Sequence, residues 1–352
     1  MSLSVGIIGL PNVGKSTLFN ALLKKQLANV SNYPFCTIEP NQGIIEVPDS
    51  RLDKLADRLG LSKKIPAGIK FIDIAGLVKG AHRGEGLGNQ FLAHIRECDC
   101  LVEIVRFFDD PEIIGTVSPE NDMETIKIEL ILKDLEMINK YLEKIKKEAK
   151  SGDKEIQEKL ILLEKIKNFL DRGKMISEIE FNNKEKEIIK DLQFLTQKPI
   201  IKVANLSEKN LSQRFKELKD KDFIPLSAKL ENELNQLSKE ESEEYLKEIG
   251  LEERGLDCLI KKAYSSLGLI TFYTLILGKQ VQAWSVKRMT YLPEAGGIIH
   301  SDFYEKFITA EVINWQTLIE IGSWQKAKEK GKLRIEGKKY YVQDGDVIHF
   351  KI

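Results

Sequence analysis

Gly9-Leu10-Pro11-Asn12-Val13-Gly14-Lys15-Ser16 decides the fold class of this chain. It fits G-x-x-x-x-G-K-[ST], a loop that wraps the phosphates of a nucleoside triphosphate. Gly9 and Gly14 permit the tight turns that aim successive backbone N–H groups inward. Lys15 brings a positive charge to the terminal phosphates, and the Ser16 hydroxyl is placed to take a position on Mg²⁺. Before the loop, Leu3 to Ile8 is an apolar run of strand length; after it, Lys15 to Lys25 reads as a helix with Leu18, Ala21 and Leu22 on one face. Strand, loop and helix come in the order the motif requires, with the phosphates at a helix N-terminus.

Outward from the loop, the run around Ile44, Ile45 and Val47 predicts a second strand, and Ile69 to Ile74 a buried one that ends in Ala75-Gly76. Cys100 to Val105 and Pro199 to Val203 read as further strands. Helical patterns lie between them, so the core is α/β: a P-loop NTPase domain with a parallel-type sheet. Gly76 to Gly88 is glycine-rich, carries Lys79, His82, Arg83 and Glu85, and is expected to be mobile.

From Asp122 to Leu195 the pattern changes. Ile128, Leu132, Leu135, Ile138, Leu142 and Ile145 form one helical stripe, and Ile156, Leu160, Leu163, Ile166 and Leu170 form another after a break at Ser151-Gly152-Asp153. These predict an antiparallel, coiled-coil-like hairpin with arms of ~30–35 Å. Its many Lys and Glu residues read as solvated faces. From Gly268 the chain has short strand-like runs at Val281–Val286, Lys339–Val342 and Val347–Phe350, with Pro293 to Gly297 as a turn. Lys326, Lys328, Lys330, Lys332 and Arg334 make a basic row, either a phosphate-contacting patch or an edge-protecting one. The resulting division is 1–121 and 196–267 for the nucleotide-binding domain, 122–195 for the helical insertion, and 268–352 for a small α+β module.

The chain has 352 residues and a formal net charge of +0, so no global field favours nucleic acid or a membrane surface. No apolar stretch approaches the ~18–20 residues of a membrane span, and the direct entry into the first strand, without a basic region or cleavage site, leads us to expect no signal peptide. The 4 cysteines lack metal or disulfide spacing; Cys98 and Cys100 read as buried thiols. A cytoplasmic, reduced protein is expected, without membrane or sequence-specific DNA binding.

The loop's partners follow in order. Asp73, at a strand end about sixty residues on, is placed to hold Mg²⁺ through water, and Gly76 of the same D-x-x-G offers its amide to the terminal phosphate. Thr37, in a loop-like segment, is the candidate second hydroxyl on Mg²⁺. Asn205-Leu206-Ser207-Glu208 stands where a GTP-binding protein carries N-K-x-D, and Ser227-Ala228-Lys229 follows as the last base-side loop. The aspartate of N-K-x-D accepts from the guanine N1 and N2 donors. Here that aspartate is Glu208 and the lysine is Leu206, so guanine selectivity is expected to be lost and adenine accepted. Leu77 replaces the water-orienting glutamine of small GTPases, so hydrolysis should be slow or depend on a group from elsewhere. No residue is assigned as the catalytic group; the candidates are His82, Arg83 and Glu85, and Glu103, a carboxylate inside an apolar strand with Arg106 as a suggested partner. Asn12 in the loop makes K⁺ a second ion to test.

The P-N-V-G-K-S loop, Asp73 to Ala81, and Gly84-Glu85-Gly86-Leu87-Gly88-Asn89 resemble the Obg-related translation factors. Asn205 to Glu208, the inserted hairpin, and the ending Gln343 to Phe350 narrow the resemblance to the YchF subfamily of Obg-like ATPases, over essentially the whole chain. The resemblance implies a nucleotide domain, a coiled-coil insertion and a C-terminal TGS domain of β-grasp fold. It also implies an ATPase that prefers ATP to GTP and binds the ribosome, at its large subunit or as the 70S particle, through the TGS domain and the insertion. By the same resemblance Asn12, Val13, Gly14, Lys15, Ser16 and Thr17 bind phosphates, Ser16 and Thr37 bind Mg²⁺, and Leu206 lies against adenine, with Asn205, Glu208 and Ser227 beside it. Family members commonly carry a histidine, a proposed catalytic group, where this chain has Glu103. The expected activity is a nucleotide-dependent switch that turns ATP into ADP and phosphate. The alternatives are a scaffold with negligible turnover and a GTP-using translation GTPase.

Overall fold

A computed structural model of the chain describes residues 3–28, 41–74, 94–111, 116–151, 153–276 and 278–352. Its strands are β1 (Ser4–Ile8), β2 (Gln42–Glu46), β3 (Lys63–Ile65), β4 (Gly68–Asp73), β5 (Cys100–Arg106), β6 (Ile200–Asn205), β7 (Phe223–Leu226), β8 (Leu269–Ile276), β9 (Gln280–Lys287), β10 (Thr309–Asn314), β11 (Arg334–Glu336) and β12 (Asp346–Lys351). The chain divides into two compact units. One comprises Leu3–Ala21 and Ile72–Gly255, the other Leu22–Phe71 and Leu256–Ile352.

In the first unit β1, β5, β6 and β7 lie side by side in that order, every pair parallel. Helices cover a parallel sheet on both faces, so its strands must be apolar throughout. Accordingly every residue of β1 and β5 is buried, the carboxylate of Glu103 included. The helix Lys15–Ala28 follows the loop as expected, with Leu18, Ala21 and Leu22 fully buried.

The insertion is a helical pair, but its arms are unequal. Pro119–Glu148 has 30 residues and Lys154–Leu170 has 17, about 45 Å against about 25 Å at 1.5 Å per residue. Asp153 starts the second arm by accepting from the Glu155 amide at 2.8 Å. The buried stripe of the long arm also differs from the expected one at its start. Ile126 and Leu130 pack with Ile8, Ile95 and Leu101, while Ile128 and Leu132 are 47% and 52% exposed. The cause is Asp134, which lies in the true stripe between Leu130 and Ile138 and interrupts the apolar period. It is completely buried, accepting from the amides of Leu195 (3.0 Å) and Thr196 (2.8 Å) and from the Thr196 hydroxyl (2.8 Å). Beyond it, Ile138, Leu142 and Ile145 meet Leu162, Leu163 and Ile166 of the short arm as expected.

The second unit is built on a sheet of order β11-β10-β12-β8-β9-β3. β8 and β9 form an antiparallel hairpin, β12 runs parallel to β8, and β3, from far earlier in the chain, runs parallel to β9. Asp49, which caps the helix Ser50–Leu59, accepts from the Tyr273 hydroxyl at 2.5 Å, and Arg51 bridges Asp49 and Asp344 at 2.8 Å each. Burial of Asp49 opposes its ionisation, but the bonds from Arg51 and Tyr273 prevail and hold it below the usual carboxylate range. Residues Leu22–Phe71 are thus packed into the same unit as the C-terminal module.

Two expectations for this module are corrected. Pro293 to Gly297 is not a turn but part of a helix, Leu292–Ile299. Proline is tolerated in a first helical turn, and the Glu294 carboxylate accepts from the Tyr291 amide there. The glycines serve packing: a Cβ on Gly296 would lie 3.0 Å from that of Phe303, so the chain after the helix can close tightly against it. Lys339 to Val342 forms no strand, only a single bridge between Tyr341 and Tyr291, whose rings stack at 4.3 Å. In the basic row, Arg334 begins the edge strand β11 and bonds the Tyr340 hydroxyl at 2.8 Å. Cys98 and Cys100 are buried free thiols, and burial pushes their pKa values up to about 11 and about 12. Among the described residues no helix is long and apolar enough to cross a membrane.

Candidate nucleotide site

The loop between β1 and its helix adopts the backbone its glycines allow. Gly9, Asn12 and Gly14 have φ values of 148°, 61° and 101°. Alternation of this kind turns consecutive N–H groups into one concavity, which is an anion nest. Neither glycine has room for a side chain. A Cβ on Gly9 would sit 2.5 Å from the Ile104 carbonyl oxygen of β5, and one on Gly14 would sit 2.4 Å from Asn205 Nδ2. Val13 is buried beneath the loop, while Asn12, Ser16 and Thr17 are exposed at its mouth. The first amides of the helix lack intrahelical acceptors and add to the donor set.

Lys15 folds back over the loop, and its ammonium donates to the Leu10 carbonyl at 2.6 Å. Burial lowers its pKa, against the attraction of Asp73. The Ser16 hydroxyl donates to Asp73 Oδ2 at 3.1 Å, which joins the loop to the end of β4. The other carboxylate oxygen, Asp73 Oδ1, is buried without a hydrogen-bond partner. A buried orphan of that kind calls for a partner that completes the site.

Asn205 performs a structural task at the end of β6. Its amide donates to the Val13 carbonyl at 2.9 Å and accepts from the Ala228 amide at 2.9 Å. One side chain therefore braces the glycine loop against the start of the helix Ala228–Leu234. Ser227 caps the helix Ala228–Leu234 through the Leu230 amide. Leu206 is buried in an apolar cluster with Val105, Phe107, Leu211 and Leu230. Glu208 opens the helix Glu208–Asp220, is exposed, and accepts from the Tyr245 hydroxyl.

Glu103 faces a different environment from the one expected. In register it pairs with Lys202 of β6. Burial raises its pKa to about 7, against Lys202 and with help from Asp122. Arg106, the suggested partner, stands three positions along the same strand, while the charge that favours the ionised form of Glu103 is that of its cross-strand neighbour Lys202. Side chains alternate along a strand, and it is Ile104 that packs under Gly9, so Glu103 belongs to the face of β5 opposite the loop. Thr37, Gly76, Leu77, His82, Arg83 and Glu85 lie outside the described residues.

Three comparisons with known proteins bear on this geometry. The ribosome-binding ATPase YchF of Bacillus subtilis (strain 168) is 46% identical over 100% of this chain and 99% of its own length. The chain belongs to the YchF family. The YchF of Haemophilus influenzae is 43% identical, with 100% of this chain and 99% of the relative covered. The solved structure of the Schizosaccharomyces pombe YchF GTPase superposes with a TM-score of 0.91 at 35% identity, covering 99% of this chain and 98% of the other. Residues 4–165 match a family model described as a 50S ribosome-binding GTPase. Residues 269–352 match the YchF-GTPase C-terminal model, described as a protein of unknown function (DUF933).

YchF membership implies a Mg²⁺-bound nucleotide, and the residues present fit one. Ser16 and Asp73 bring a hydroxyl and a buried, unpartnered carboxylate oxygen together beside Lys15. Among the described residues no cluster of three His, Cys, Asp or Glu could hold a metal alone. Phosphate oxygens would therefore share the ion's coordination, as suits the hard, oxygen-seeking Mg²⁺. Bound there, the ion would neutralise phosphate charge. Tyr245 escaped the sequence reading, because 37 residues separate it from Glu208 and no motif contains it.

Proposed function

We propose that this YchF-family chain is a Mg²⁺-dependent ATPase that associates with the ribosome and changes its affinity for it with nucleotide state. The relatives named as ribosome-binding ATPases, matched over their full length, support this reading. The observation that carries the choice of ATP is the base-side box. Leu206, standing where that lysine would be, is buried in an apolar cluster and Glu208 is engaged by Tyr245, so the lysine and free aspartate that read guanine are missing. Asn12 to Thr17 would hold the phosphates, with Gly76 adding its amide to the terminal one. Ser16, Thr37 and Asp73 (through water) would hold Mg²⁺. Glu208 would meet the base, with Leu206, Asn205 and Ser227, all buried, shaping the wall behind it.

The proposed division of labour follows the sequence boundaries. Residues 1–121 and 196–267 bind nucleotide, while the helical insertion and the TGS module present the surface that meets the large subunit or 70S ribosome. Switching requires that this surface bind more tightly in one nucleotide state than in the other. Ribosome pelleting with a non-hydrolysable ATP analogue and with ADP tests it; equal binding in both states rejects the switch. Leu77, in place of a water-orienting glutamine, favours a second reading in which nucleotide is held and scarcely turned over. ATP turnover measured with and without ribosomes separates the two. The group that orients water is unassigned; His82 is a candidate, whereas the sequence candidate Glu103 is turned to the face of β5 opposite the loop. Replacing Na⁺ by K⁺ in the same assay tests a monovalent ion at Asn12.

A further inference from the structure

Tyr245 lies outside every motif of the sequence, on the helix Lys239–Glu248. Its ring is half-buried against the apolar cluster that contains Leu206, Leu211 and Leu246. Its hydroxyl donates to Glu208 Oε1, and among the described residues it is the one hydrogen-bond partner of that carboxylate. Both members of the base box that depart from the guanine pattern therefore meet this side of the fold. Leu206 shares Tyr245's cluster, and Glu208 takes its hydrogen bond.

We propose that Tyr245 is a specificity-determining positioning residue that biases the site against guanine. A carboxylate reads guanine by presenting both oxygens side by side to the adjacent N1–H and N2–H donors, a bidentate geometry. Tyr245 holds Glu208 in the rotamer that turns Oε1 toward its hydroxyl, so the two oxygens are not free to align together on a pair of adjacent donors. A carboxylate so held suits adenine, which asks for no acceptor pair at N1 and C2, and it pairs the adjacent N1–H and N2–H of guanine poorly. Losing one of two paired hydrogen bonds lowers guanine affinity without lowering that of adenine. The flexible Glu208 side chain could otherwise swing to receive guanine, so excluding that arrangement needs a restraint. The proposal rests on the ATP reading given above.

The test uses the full-length chain with Mg²⁺, measuring ATP and GTP dissociation constants by competition against a fluorescent nucleotide. Tyr245→Phe keeps the ring in its cluster and removes only the hydroxyl. The wild-type chain should prefer ATP, and the ATP-over-GTP ratio of Tyr245→Phe should fall on the order of fivefold to tenfold, the effect of one restraining hydrogen bond. In a Glu208→Ala background the same substitution should leave the ratio unchanged, since the carboxylate it restrains is gone. A wild-type preference for ATP that persists undiminished in Tyr245→Phe overturns the role of Tyr245 and spares the ATP reading. A full shift in the Glu208→Ala background overturns it as well, because Tyr245 would then act without Glu208. Equal affinity of the wild-type chain for ATP and GTP overturns both.

Discussion

Lys15, Ser16 and Asp73 occupy one corner of the fold, and the tasks proposed for Lys15 and Asp73 are separable by mutation. Lys15→Ala removes the ammonium expected on the phosphates. Affinity for Mg²⁺·ATP should fall roughly tenfold to a hundredfold, the worth of a charge-assisted bond. Asp73→Ala should instead abolish the gain in affinity that Mg²⁺ confers, leaving binding in EDTA nearly unchanged; isothermal titration with and without the ion reads both effects. Glu103 makes a pH prediction. Its carboxyl is raised from 4.5 to about 7 in the fold, so the folded state holds the proton more tightly than the unfolded chain does. Stability from this group is complete below about pH 4.5 and is lost as pH rises through about 7. Glu103→Gln should flatten that loss and stabilise the protein at pH 8 by on the order of 2–3 kcal/mol, read from urea unfolding at pH 5 and pH 8. With Glu103 on the face of β5 opposite the loop, the single-turnover rate of the same variant should be unchanged. The loop was legible from its glycines and lysine alone because every donor is local. The surroundings of Glu103 were not, because Lys202 becomes its neighbour only through the pairing of β5 with β6.

The long insertion helix shows how an element can be foreseen and its face misread. Period and length announced a helix, and the break at Ser151 to Asp153 announced the hairpin. Asp134 then disguised the buried stripe, since a charged residue in an apolar row reads as an exit to solvent. Its two oxygens satisfy the Leu195 and Thr196 amides where the insertion returns to the sheet. Asp134→Ala would leave those amides buried without acceptors, at a cost of about 2–4 kcal/mol. Chemical denaturation should show the loss, and Asp134→Asn, which keeps one acceptor, should recover part of it. The helix Leu292–Ile299 was hidden for the opposite reason. Proline and two glycines look like a turn until Phe303 is seen against Gly296.

At the scale of the molecule, two compact units need not unfold together. Nucleotide at a hundred times its dissociation constant stabilises whatever binds it by about 2.7 kcal/mol. Mg²⁺·ATP should therefore raise protection from hydrogen exchange across β1, β5 and β6 of the unit that holds the loop. The sheet from β8 to β12 should gain less, and equal protection throughout would indicate that the units open as one. The chain also recruits Leu22–Phe71 to the unit of the C-terminal module through β3 and the Asp49, Arg51, Tyr273 and Asp344 bonds. No local pattern announces that, because the partners are more than two hundred residues apart in sequence.

The sequence by itself determined the phosphate loop, the α/β class, the helical insertion and the loss of the guanine-reading pair. All of these depend on residue type at short spacing, where backbone geometry and periodicity translate directly into structure. Tertiary structure alone decided what those residues touch: Asn205 bracing Val13 and Ala228, Tyr245 holding Glu208, Lys202 set beside Glu103, and β3 joined to β9. Each of those contacts is made by folding distant segments together. Its energy comes from burial and from satisfying polar groups in that enclosed setting, which no stretch of the sequence carries alone.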